Sequence, residues 1–173
     1  MWKKSNPYTK ENTMMHKTMN DLSKSTRKGA VDLLEARLVD ALDLGLQCKQ
    51  AHWNVRGREF FQLHELFDML YKQVSEDVDD IAERATALGS SVQATAQVIA
   101  KRTTLKPYPL DAVACEDHVR ALGAAFAACV AGVRASIEKA EKLGDDGTAD
   151  LFTSVSRHLD KGLWLIEAHV QDK

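Results

Sequence analysis

The sequence predicts an all-α fold, a four-helix bundle with one long connection between its second and third helices. Three observations predict it. Prolines occur only at 7, 107 and 109, so long helices are permitted nearly throughout. Apolar residues recur at steps of three and four along four long segments. Those segments fall as two helices, a long crossover and two more helices, the order of a bundle with one long connection.

Residues 1–25 are polar, rich in Lys, Asn, Ser and Thr, and carry no helical stripe; a flexible tail is expected over 1–26, with the folded domain over 27–173. Ser25 or Thr26 suits the cap of a first helix over about 27–53, whose stripe is Leu34, Leu38, Ala41, Gly45 and Cys48, leading to His52. The Asn54–Gly57 segment breaks it. A second helix is expected over about 59–88, with Leu63, Phe67, Leu70, Val74, Val78, Ile81, Ala85 and Leu88 as its core stripe and Gly89 as C-cap. The crossover, about 89–110, has room for a short helix at Thr95–Ala100 and a turn at Pro107–Pro109. Helix three, about 111–143, is rich in alanine, which permits close helix approach. GDDG at 144–147 reads as a turn, and a last helix over about 148–170 presents Leu151, Val155, Leu159, Leu163 and Ile166 on one face.

At 173 residues the chain suits one domain that buries ~70% of its extended surface. No uninterrupted apolar run approaches the ~20 residues that span a bilayer. The opening MWKKSNPYTK has no apolar stretch after its lysines and does not read as a secretory signal. Cys48, Cys115 and Cys129 are odd in number and lack CxxC spacing, which argues against a disulfide framework or a zinc knuckle. The expected compartment is the cytoplasm. The net charge of −2 conceals an asymmetry. Residues 1–28 hold seven basic and two acidic groups, +5, and the rest hold 16 basic and 23 acidic, −7. A basic arm on an acidic body suits a polyanionic partner.

The chemistry concentrates in His52, His64, Asp68, Asp79 and Glu83. Imidazoles and carboxylates together suit ferrous iron. His64 and Asp68 are four apart, as are Asp79 and Glu83, so each pair shares a helical face. Asp68 and Asp79 are eleven apart, roughly 16 Å along a helix, whereas two metals that react together sit only ~3.5–4 Å apart. The two pairs therefore cannot serve one site within one straight helix. Two copies of the helix running antiparallel across a twofold would unite them. No Glu is followed three residues later by His, so the usual intrasubunit di-iron pattern of helical bundles is absent.

Other residues stay ambiguous by themselves. Trp53 reads either as a staple packing the helix end or as an oxidisable ring beside a metal. Asp145, Asp146, Asp150 and Asp160 either favour the start of the last helix electrostatically or line a cation path in an oligomer. His16, His118, His158 and His169 show no alignment.

The stretch KQAHWNVRGREFFQLHELFDMLYKQVSEDVDDIAERATALG, Lys49 to Gly89, resembles the ferroxidase signature of Dps miniferritins, the DNA-binding proteins of starved bacterial cells. The likeness continues through KPYPLD at 106–111 and DDGTADLFTSVSRHLDKGLWLIEAHV at 145–170. The resemblance implies a ferritin-like four-helix bundle with a short crossover helix, assembling as a hollow homo-dodecamer. It implies ferroxidase sites at twofold interfaces, with His52, His64 and Asp68 from one subunit and Asp79 and Glu83 from its partner. Arg84 and Asp160 match a family salt bridge between subunits, Asp146 and Asp150 match acidic pores that admit Fe2+, and Trp53 matches a tryptophan beside the iron. The implied activity is Fe2+ oxidation, preferably by H2O2, followed by storage of ferric mineral. The implied partner is double-stranded DNA, bound without sequence preference through tail lysines Lys3, Lys4, Lys10 and Lys17, with a cytoplasmic, nucleoid-associated location. The alternatives are an iron shell that does not bind DNA and a DNA-compacting scaffold with an inactive iron site.

Overall fold

The computed structural model describes residues 15–171. It consists of α1 (Lys24–Asn54), α2 (Phe60–Ala87), the short α3 (Ala96–Arg102), α4 (Cys115–Leu143) and α5 (Asp146–Glu167). Helices α1 and α2 form one hairpin, α4 and α5 the other, and α1 packs on α4 while α2 packs on α5. The core is filled by Leu34, Leu38, Leu44, Leu63, Phe67, Ile81, Leu122, Phe126, Phe152 and Ile166, all at most 1% exposed.

The helix starts differ from those the sequence predicts, and each shift has a local cause. Ser23, not Ser25 or Thr26, caps α1, its Oγ accepting from the Thr26 N–H at 3.1 Å. Asp145 caps α5 by accepting from the Thr148 N–H at 3.0 Å, so the expected GDDG turn shrinks to Gly144 and Asp145. Gly144 takes the left-handed φ of +76° that ends α4. Gly89 lies one residue past the C-cap of α2, at φ +98°. On α5 the core residues are Phe152, Val155, Ser156, Leu159, Gly162 and Ile166, while Leu151 and Leu163 are only half-buried. Phe152 fills the space that the predicted stripe gives to Leu151. On α2, Asp77 is buried and Val78 is half-buried.

Part of the segment expected as a free tail is fixed. Met15 pairs with Ser90 in an isolated bridge, and the His16 N–H donates to the Gly89 carbonyl at 2.8 Å. Arg27 Nη1 donates to the Leu88 carbonyl at 3.1 Å, so the chain entering α1 is laced to the end of α2. Residues 1–14 lie outside the described residues, and with them Lys3, Lys4 and Lys10. Lys17 is described and exposed.

The crossover is pinned to α1 by acids that face it. Thr104 donates to Asp40 Oδ1 through its N–H (2.8 Å) and its hydroxyl (3.0 Å), and Thr103 Oγ1 donates to Asp43 at 2.6 Å. Arg102 pairs with the buried Glu35 at 3.3 Å, while Val98 and Ile99 of α3 pack on Val39. Helix α4 is long and apolar enough by length and composition to cross a membrane. Its Val119, Leu122, Phe126, Val130 and Val133 are nevertheless buried in the core shared with α1 and α5. All three cysteines are free thiols. Burial pushes the Cys48 thiol far up and Cys129 to about 12, so neither is a thiolate ligand at neutral pH.

One buried charge works against the fold. Asp77 accepts from His158 Nδ1 at 2.7 Å across α2 and α5, yet burial outweighs that bond and raises its pKa to about 6. A raised carboxyl pKa makes the native state the better proton binder between the unfolded value near ~4 and 6, so stability falls as pH rises through that window. Asp77→Asn is therefore expected to raise the urea midpoint at pH 7, with the gain vanishing near pH 4.

Candidate metal centre

The end of α1 and the start of α2 run side by side, and this places His52 against His64. The rings stack with centroids 3.7 Å apart and planes 23° apart. Each ring is locked by the other's main chain: His52 Nδ1 donates to the His64 carbonyl at 2.8 Å, and His64 Nδ1 donates to the His52 carbonyl at 2.9 Å. A carbonyl only accepts, so both protons sit on Nδ1, and each Nε2 keeps the lone pair that a metal needs. A backbone carbonyl on the far nitrogen is a usual way of orienting a ligating imidazole. Phe60 covers the pair, its ring centroid 5.2 Å from that of His64.

Asp68 sits one turn beyond His64 and is occupied by two ammonium groups. Lys49 Nζ lies 2.8 Å from Oδ1 and Lys72 Nζ 2.9 Å from Oδ2. The hydrogen bond from Lys49, then that from Lys72, holds the carboxyl well below the usual carboxylate range. The contribution of these contacts to stability is present above pH ~4 and is lost only as pH falls through that lowered value. A cation arriving at Asp68 must displace both lysines. Lys72 was legible as the i+4 partner of Asp68. Lys49 was not, because its reach to Asp68 depends on the packing of α1 on α2. Lys49→Met is expected to tighten binding of Co2+, a slow-oxidising substitute for Fe2+, by several-fold in a titration of the His-to-metal absorption bands.

Asp79 and Glu83 are exposed on α2, one turn apart, with no ion pair among the described residues. Among the described residues no three His, Cys, Asp or Glu side chains of this chain gather into a metal cluster. Within this chain the two histidines pair with each other, Asp68 is held by lysines, and Asp79 and Glu83 stand eleven and fifteen residues further along α2. Close to the histidines in the chain, the large apolar residues Trp53, Phe60, Phe61 and Met69 are all exposed. Trp53 does not staple the helix end; it is 69% exposed, with Lys49 Nζ 5.6 Å from its ring centroid.

The remaining expected residues have partners inside this chain. Arg84 Nη2 lies 2.6 Å from the buried Asp145, and Arg84 Nε donates to Thr148 Oγ1 at 3.1 Å. Asp160 is held by Arg134. Asp146 and Asp150 are exposed one turn apart at the start of α5.

Two antiparallel hairpins, a long crossover carrying a short helix, and imidazole and carboxylate groups on the hairpin faces define a ferritin-like protein, and residues 31–173 match the Ferritin-like domain family. The chain belongs to the Dps family of miniferritins. It is 40% identical over 158 residues to the DNA protection during starvation protein of Agrobacterium fabrum, covering 91% of this chain and 98% of that protein. The corresponding protein of Mycolicibacterium smegmatis is 33% identical over 154 residues, with 89% and 84% covered. Among solved structures, DpsC from Streptomyces coelicolor superposes with a TM-score of 0.89 at 27% identity over 95% of this chain and 97% of its own. A tetragonal crystal form of Mycobacterium smegmatis Dps gives 0.87 at 33% identity, over 92% and 96%.

Proposed function

We propose that the protein is an iron-storage ferroxidase of the Dps type, working as a hollow dodecamer whose twofold interfaces complete the iron site. The observation that carries this reading is the reciprocal His52–His64 lock, which presets two imidazole ligands, while Asp68, Asp79 and Glu83 lie along α2 and the last two have no ion pair among the described residues. His52, His64 and Asp68 of one subunit would then meet Asp79 and Glu83 of another. The exposed Trp53, Phe60, Phe61 and Met69 supply apolar surface that such a contact would bury, and the Trp53 ring would then lie near the iron.

The chemistry follows from the ligand set. Two Fe2+ held together deliver two electrons to one H2O2, whose O–O bond breaks; two protons complete two waters, and no hydroxyl radical is released. Carboxylates hold the Fe3+ product as hard oxygen donors. The exposed pair Asp146 and Asp150 at the start of α5 suits a cation entry path once copies surround it, delivering Fe2+ to the cavity where ferric mineral grows. Arg84 and Asp160 would have to exchange Asp145 and Arg134 for each other to bridge subunits.

The relatives named for DNA protection support a second role, in which Lys3, Lys4, Lys10 and Lys17 of many tails contact DNA phosphates in the cytoplasm, at the nucleoid. Such binding is multivalent, indifferent to sequence and weakened by salt. Deleting residues 1–14 and replacing Lys17 by Gln is expected to abolish DNA co-condensation at low salt in a sedimentation assay while leaving the shell intact; a protein so altered that still condenses DNA would refute the tail assignment.

The ferroxidase reading is tested by mixing anaerobic protein and Fe2+ with H2O2, then following iron and protein together through gel filtration. Oxidation near two Fe2+ per peroxide, with iron eluting in a particle of about twelve subunits, supports it. Iron that precipitates apart from the protein, or protein eluting as a small species, overturns it.

A further inference from the structure

Between the crossover and α4 the chain pairs a phenol with a buried imidazole, two groups suited to redox work. Tyr108, in the crossover before α4, places its hydroxyl 2.6 Å from Nδ1 of His118. At that distance the phenol can donate to an Nδ1 that carries the lone pair. His118 is fully buried on α4, and Tyr108 is half-buried. The His118 ring lies against Phe67, centroids 6.5 Å apart, and Phe67 stands between His64 and Asp68 on α2. The Asn54 main chain, next to Trp53 and two residues from His52, also bears on the ring. His118 thus packs on the core residue that precedes Asp68 in the chain, and its Nε2 has no hydrogen-bond partner among the described residues.

The geometry points to Tyr108 and His118 as a one-electron outlet for the iron site: Tyr108 gives an electron to a hydroxyl-radical-class oxidant and hands its phenolic proton to His118. This rests on the ferroxidase reading. Such an oxidant forms when a single Fe2+ meets H2O2; the O–O bond breaks, iron becomes Fe3+, one hydroxide leaves and a hydroxyl radical remains. An electron from Tyr108 reduces that radical to a second hydroxide. The phenol O–H bond breaks in the same step, and its proton crosses to Nδ1, leaving a neutral tyrosyl radical and an imidazolium. Burial, the largest influence, lowers the His118 pKa, and the Asn54 main chain and Asp117 offset only part of it, so the imidazolium forms only when the far more acidic oxidised phenol drives the transfer. Burial also keeps Tyr108 a neutral phenol, so its oxidation must release the proton, and His118 Nδ1 lies within hydrogen-bond distance to take it.

Tyr71 is worse placed for this role. The Lys49 ammonium sits 5.2 Å from its ring centroid, opposing the positive charge of oxidation, and its hydroxyl has no imidazole acceptor among the described residues. Tyr108 also lines an open cleft of about 770 Å3 with Pro107, Pro109, Asp117 and Arg120. A small soluble reductant such as ascorbate can enter there and return one electron, with His118 returning the proton.

The test is freeze-quench EPR on full-length protein given Fe2+ below one per subunit and excess H2O2, with a parallel iron-free arm using a photogenerated ruthenium one-electron oxidant. Wild type is expected to form a tyrosyl radical in both arms, and Tyr108→Phe to lose it in both while still oxidising two Fe2+ per peroxide at full loading. In the iron-free arm His118→Gln is expected to form the radical on the order of 100-fold more slowly, the low end of what a positioned base contributes. An equal tyrosyl signal in Tyr108→Phe, or no tyrosyl radical in wild type in either arm, overturns the outlet. Absent iron oxidation with a Tyr108 radical still formed by the ruthenium oxidant overturns the ferroxidase reading and supports the Tyr108–His118 dyad.

Discussion

Replacing Asp79 and Glu83 together by alanine is expected to slow H2O2-driven Fe2+ oxidation by at least about 100-fold, because losing even an outer-shell partner costs a metal site ~10–100-fold. Both residues are exposed, one turn apart, and touch nothing that the bundle needs. Substitutions of that kind change stability by about 0.5 kcal/mol or less, so far-UV circular dichroism and the unfolding midpoint should match the wild type. The two halves of the site make the result specific. His52 and His64 hold each other through paired Nδ1–carbonyl bonds, so their geometry survives the double substitution. Co2+ should accordingly still bind, but weakly and through imidazole alone. Mixing the double mutant with a His52→Ala, His64→Ala, Asp68→Ala variant under conditions that exchange subunits gives a sharper check. A site shared across a twofold recovers activity in the mixed dimers that pair one intact half with the other. A site contained in one chain recovers none.

Much of this was legible in the sequence, and the exceptions share a cause. Period and breakers placed four long helices and the crossover helix to within a few residues, since the core stripe of α1 and most of that of α2 depend on local spacing. The split between the histidines and the distal acids was also legible, because a helix has a fixed rise. What spacing cannot show is partnership across elements. The Lys49–Asp68 pair spans α1 and α2, His158–Asp77 spans α2 and α5, and Tyr108–His118 joins the crossover to α4. In each, residues that look solvated or idle on their own helix become paired through packing. The entry segment at 15–22 was misjudged for the same reason: its polar residues suggest a free tail, but His16 bonds to Gly89 at the far end of α2. Asn20 and Thr18 in fact make local turns there, with the Leu22 N–H donating to Asn20 Oδ1 at 3.0 Å and the Asn20 N–H to Thr18 Oγ1 at 3.2 Å, and these polar side chains were the available signal.

Arg84→Met is expected to be the most destabilising single substitution among the charged residues of the expected site, by about 3 kcal/mol. Asp145 is 1% exposed, and Arg84 is its only cationic partner among the described residues. Thr148 donates to both carboxylate oxygens, through its N–H at 3.0 Å and its hydroxyl at 2.6 Å, but brings no charge. Removing the guanidinium leaves a buried carboxylate uncompensated, and for a chain of this size the loss should lower Tm by about 6–12 °C. Adding Asp145→Asn should return much of it, since a neutral amide needs no counter-charge. Asp160→Asn, by contrast, breaks an exposed pair with Arg134 and should shift stability by about 0.5 kcal/mol or less. If Arg84 instead served mainly to bridge subunits, Arg84→Met would leave isolated subunits as stable as wild type and weaken only the assembled particle, in a manner dependent on protein concentration. On the proposed entry path, the location of the pair would tie stability to iron entry. Asp145 caps α5, and Asp146 and Asp150 occupy the first turns that this cap organises, so loosening it should splay the acidic entrance and slow Fe2+ uptake even where the ligands of the iron site are untouched.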